Sequence, residues 1–186
     1  VIPHENKNRV RIYTRRQVSS DLITGLVNST LGCTVSNLWN KSALDSVCGW
    51  DEDRLNNQEY FLMLKLWKAE RNFLLDPIDF TIAYREPDSI SRPKSDASMI
   101  RLLENRLIYQ TELKSAIRGK HDLTPAILAQ IEAQMVQNLH VCFFHVYIFR
   151  PNIEEIANRF GLHINFRNKL KFYPHYIYSK YAFNKP

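Results

Sequence analysis

Apolar positions recur at helical spacing along most of this chain, and the breaks between the stripes fall at proline, glycine and small polar residues. Val18, Leu22, Ile23, Leu26 and Val27 form the first stripe, with Gly32 as its stop. A loop carrying Trp39 follows, and a short turn of helix is expected after Ser42, ended by Gly49. Asp51 has the chemistry of a cap for a long helix containing Leu55, Tyr60, Phe61, Leu64, Trp67, Phe73 and Leu74, which Asp76 and Pro77 would stop. Its apolar surface is too wide for one neighbour, so it should sit centrally or present a second face to another chain.

The period changes at Ile78, Phe80, Ile82 and Tyr84, which alternate as a short strand would. A polar loop with Pro87 and Pro93 leads to Asp96, the expected cap of a helix whose stripe is Ile100, Leu103, Leu107, Leu113 and Ile117, up to Gly119. Thr124 and Pro125 then make a strong start signal, a capping hydroxyl followed by proline at the first helical position. Leu128, Ile131, Met135, Leu139, Cys142, Val146 and Phe149 continue at spacings of three and four until Arg150 and Pro151. One long helix paired antiparallel with the one before Gly119 fits this pattern. So does a helix to Asn138 followed by a buried strand, because Val141, Val146, Tyr147 and Ile148 favour sheets. A short helix capped by Asn152 carries Ile153, Ile156, Ala157 and Phe160 to Gly161, and Leu162, Ile164 and Phe166 alternate again.

The fold class expected is therefore mainly α: a helical body with an antiparallel helix pair, one or two short strands, and extended basic arms at both ends. The divisions are an arm at 1–13, a helical domain at 14–164 and a tail at 165–186. Composition agrees with this picture: 5 glycines in 186 residues leave few tight hairpins, and 45% hydrophobic against 24% charged residues is ordinary for a chain that folds. Nowhere do about 18 apolar residues follow one another, the length a spanning helix needs. Cys33, Cys48 and Cys142 are odd in number and lack zinc or thioredoxin spacing, which points to a reducing compartment. Val1 rather than Met at the start fits either a processed mature form or a trimmed chain, and a removed targeting segment would explain it.

Charge adds the feature that composition hides. Residues 1–16 carry Lys7, Arg9, Arg11, Arg15 and Arg16 against Glu5, a net of +4, and residues 165–186 carry five cations and no acid. With +6 for the whole chain, the body between them stands at −3. In the tail, Arg167, Lys169, Lys171 and Lys180 are interleaved with Phe172, Tyr173, Tyr176, Tyr178 and Tyr181. Rings and cations so mixed can stack on bases while neutralising phosphates, lie at an anionic lipid surface, or fill grooves of a protein partner.

Candidate chemistry is sparse. His140, Cys142 and His145 lie within six residues, but on a helix the first two point about 200° apart, and on a strand His145 leaves their face, so no metal is expected. No phosphate-cradling glycine loop, serine elbow or catalytic cysteine context occurs, and no enzyme activity or cofactor is expected. Ile153, Ile156, Ala157, Gly161 and Leu162 form a segment that resembles the first half of a helix-turn-helix DNA-binding unit, with Ala157 and Gly161 at that family's four-residue separation. Arg167 stands where the family's recognition helix has an apolar residue. The expected function is a non-catalytic accessory subunit of a large assembly, a mitochondrial bioenergetic membrane complex ahead of a ribosome. It would contact other protein subunits, RNA or anionic lipid through Arg9, Arg11, Arg15, Arg16 and the tail residues named above. The alternative is a nucleic-acid-binding protein, ribosomal through its arms or DNA-binding through 153–162.

Overall fold

The computed structural model describes residues 19, 21–32, 36–54, 56–75, 95–119, 125–145 and 150–162. Six helices and no strand occur among them: α1 (Leu22–Asn28), α2 (Lys41–Asp45), α3 (Gln58–Lys68), α4 (Asp96–Arg118), α5 (Pro125–His145) and α6 (Arg150–Arg159). The protein is mainly helical. The expected arm at 1–13, the alternating segment at 78–84, positions 163–166 of the second one and the tail at 165–186 lie outside the described residues.

Side-chain caps set the starts of α1, α2 and α4. α1 begins where Asp21 Oδ2 accepts the Thr24 N–H at 2.6 Å, and α2 where Asn40 Oδ1 accepts the Ala43 N–H at 3.1 Å. The cap of α4 is Ser95 and not the expected Asp96. Ser98 N–H donates to Ser95 Oγ at 3.2 Å while Ser95 N–H donates to Ser98 Oγ at 3.0 Å, a reciprocal box that satisfies two otherwise orphaned donors. α6 likewise starts before its expected cap, so Asn152 lies in its first turn.

The largest correction concerns α3. Asp51 does not cap it; the helix starts seven residues later, with Asn57 at its N-cap, and stops at Lys68. Asp51 instead holds Lys65 Nζ at 2.9 Å. The stop is a backbone event: Glu70 enters the left-handed region (φ 58) and Arg71 N–H closes on Leu66 O at 3.0 Å. Phe73 and Leu74 thus fall beyond the helix, Phe73 packing on the core and Leu74 96% exposed.

The same six-to-one closure ends three other helices. Thr30 N–H reaches Gly25 O in α1, Gly49 N–H reaches Leu44 O in α2, and Leu162 N–H reaches Ala157 O in α6. The left-handed residues are Ser29, Cys48 and Gly161, so α1 ends at Ser29 and not at the expected Gly32. α5 continues as helix past Asn138 to His145.

α4 packs chiefly on α5, and α1 touches both α5 and α3; α3 also rests on α4, and α6 on α5. Their shared core contains Leu26, Phe61, Leu64, Leu103, Leu107, Leu113, Ile117, Ile131, Met135, Leu139 and Ile156. Leu128, expected to be buried with them, is half-buried against this core. Two tyrosines tie the end of α1 into it. Tyr109 Oη donates to Leu26 O at 2.9 Å, a carbonyl in the last turn whose usual helical donor, Thr30 N–H, is spent on Gly25. Tyr60 Oη donates to Gly32 O at 3.0 Å and accepts from Leu31 N–H at 3.3 Å, and its ring meets Tyr109 edge-on at 6.0 Å.

A polar cleft where four helices meet

The residues expected to bind partners, at 9–16 and 167–181, all lie outside the described residues. The side chains of His140, Cys142 and His145 do so as well. Among the described residues no group of three or more His, Cys, Asp or Glu is placed to hold a metal ion, and no helix is long and apolar enough to cross a membrane.

α6 is the described part of the helix-turn-helix-like segment. Ala157 is 1% exposed and Gly161 takes φ +64, with Gly161 N–H bonded to Asn158 O and Leu162 folded back onto the core. A small residue on the buried face and a left-handed glycine after it are what a tight helix turn requires. The outer face of α6 is engaged: Arg159 is ion-paired with Glu104 of α4.

A feature that sequence reasoning missed lies at the junction of α1, α3, α4 and α5. The end of α1 brings Asn28 and Ser29, the start of α3 brings Asn57, α4 brings Arg106 and Gln110, and α5 brings Gln134 and Asn138. Together they line a half-open cleft of about 180 Å³ floored by Val27 and Tyr109. Each pair on the long helices is separated by four residues, so Arg106 and Gln110 share one face, as do Gln134 and Asn138. Asn57 adopts a left-handed φ of 55 and makes no side-chain cap to α3, which leaves its amide to the cleft.

The electrostatics are simple. Arg106 is exposed, forms no ion pair among the described residues, and is the single charged side chain among the lining residues described; the rest are amides, a serine, a valine and a tyrosine. Tyr109 stays protonated, because burial, reinforced by Tyr60, pushes its phenol well above the usual range. Gln110 is only 6% exposed; its Oε1 accepts Asn138 Nδ2 at 3.0 Å, and its own amide group has no donor contact among the described residues. Just outside, Gln130 Nε2 donates to Asn28 Oδ1 at 3.0 Å and fixes the rim. The signal for this cleft was present as the polar series Gln130, Gln134 and Asn138 at i, i+4 and i+8, flanking the apolar stripe of α5.

Compared with protein-family models, with curated proteins and with solved structures, the chain matches none.

Proposed function

We propose that this chain is a non-catalytic accessory subunit of a large multiprotein assembly, with a helical body and two basic arms that hold its neighbours. The observation that carries the reading is the division of charge, +4 and +5 at the ends against −3 between them. Four cations of the body, Arg54, Lys65, Lys114 and Arg159, are already taken up by Glu112, Asp51, Glu132 and Glu104.

In this reading α4 and α5 form an antiparallel pair. Lys114 meets Glu132 while Gln110, one turn earlier, meets Asn138, later in α5, which supports opposite directions. One or two short strands, expected from the alternation at 78–84 and 162–166, belong to the same reading. The assembly is a mitochondrial bioenergetic membrane complex ahead of a ribosome, since 25 Lys and Arg against 19 acids is a light excess for a chain devoted to RNA.

Purifying the native complex and identifying its co-purifying subunits tests this. Deleting residues from Phe172 onward should weaken incorporation while leaving the thermal midpoint of the isolated protein within a few degrees. Recovery of the native protein as a free monomer from a gentle extract defeats the reading.

A second reading, DNA binding through 153–162, is favoured by the buried Ala157 and the left-handed Gly161. Binding to duplex DNA that falls steeply from low to moderate salt would select it.

A further inference from the structure

We propose that the cleft between α1, α3, α4 and α5 is a binding site for a small monocarboxylate carrying a hydroxyl or similar polar substituent. The proposal is independent of the assembly reading, since it concerns the body alone.

The charge of the ligand follows from the wall. Arg106 supplies one positive charge and no carboxylate lines the cleft among the described residues, so a single negative charge is favoured. A guanidinium presents paired N–H groups that match the two oxygens of a carboxylate. A phosphate monoester, with nearly twice the charge, would want a second cation, and the cleft holds none among the described residues.

The polar substituent follows from Gln110. This side chain lines the cleft, its oxygen is committed to Asn138, and its amide nitrogen has no protein partner among the described residues. That nitrogen is available to donate to a ligand oxygen in the cleft. Gln134 and Asn57 can both donate and accept, as a hydroxyl requires. The side chain of Val27 and the ring of Tyr109 give a small apolar floor for a short hydrocarbon.

Size sets the upper limit. A cavity of about 150 Å³ holds benzene, with about six heavy atoms. The 180 Å³ here suits a molecule slightly larger, and its open side keeps affinity weak. Dissociation constants of roughly millimolar are expected for so small and wet a site.

The test is a titration of the full-length, nitrogen-15-labelled protein with sodium L-lactate at fixed ionic strength, with lactamide as the neutral analogue of equal size. Side-chain amide signals of Gln110 and Gln134 should shift and saturate with lactate, and lactamide should bind about tenfold or more weakly. Arg106→Gln should weaken lactate binding by about tenfold while leaving the melting midpoint in place, because Arg106 is exposed. The proposal is overturned by an absence of saturable shifts, by equal responses to lactamide or sodium chloride, by tighter binding of inorganic phosphate, or by full lactate binding in Arg106→Gln.

Discussion

Asn138 Nδ2 donates to Gln110 Oε1 at 3.0 Å across the seam of α4 and α5, placing an amide pair beside Leu107, Leu113, Ile131, Met135 and Leu139. The pair meets at one relative position of the two helices, since sliding either by a turn would leave a buried acceptor without a donor. Asn138→Leu should therefore destabilise the protein by about 1–3 kcal/mol, and Gln110→Leu combined with Asn138→Leu should recover most of that loss. Chemical denaturation of the three proteins measures it. Equal losses in the single and double variants would show that the amide pair does not couple.

Ile131 stands one turn from the nearest apolar layers of the same seam and is 1% exposed. Ile131→Ala should cost about 2–5 kcal/mol, the range for a buried side chain whose neighbours cannot fully collapse. A loss well under this in a urea titration would mean that the α4–α5 interface repacks freely.

Tyr109 acts through one atom. Tyr109→Phe keeps the ring contacts with Tyr60 and Phe61 but removes the hydroxyl that satisfies Leu26 O. A cost of about 1–3 kcal/mol is expected, with faster amide exchange concentrated at 22–32. Uniform change across the core would point to altered packing instead.

Cys48 is exposed and sits at φ 58 after α2, a conformation that disfavours any residue with a Cβ. Cys48→Gly should raise stability by about 0.5–1 kcal/mol, the relief of left-handed strain less the extra freedom glycine brings to the unfolded chain. A lower melting midpoint would show that the thiol makes a contact worth more than the strain.

Asp21 carries a pH dependence whose sign is fixed. Hydrogen bonding from Thr24, its side chain first and its backbone next, holds the carboxyl below the usual carboxylate range. The folded pKa therefore lies under the unfolded value of about 3.9, so the contribution is complete above that value and is lost as the pH falls through the folded one. Asp21→Ala should cost about 0.5–2 kcal/mol near neutral pH, and the gap to the native protein should close in strong acid. A gap that persists unchanged in strong acid contradicts the charge-dependent part of this cap.

Local chemistry determined much of this protein directly. Four-residue apolar spacing located α1, α4, α5 and α6, and the left-handed Gly161 marked the end of α6, because periodicity and a missing Cβ act on the chain within a turn or two, while Gly119 follows α4 in right-handed backbone. The charged arms and the aromatic tail are likewise properties of composition alone. Tertiary structure decided the rest. Asp51 and Phe73 carry the right chemistry to bracket a long α3, yet Lys65 draws Asp51 away and Glu70 turns the chain, choices made by a partner distant in sequence and by backbone closure. The helix continues past Asn138, where the sequence left helix and strand open, because a fully apolar run carries no period that separates them. The cleft needed the fold most of all. Asn28, Asn57, Arg106, Gln110 and Gln134 are unremarked singly, and only the meeting of four helices turns ordinary surface amides into a wall around Arg106, which has no ion-pair partner among the described residues.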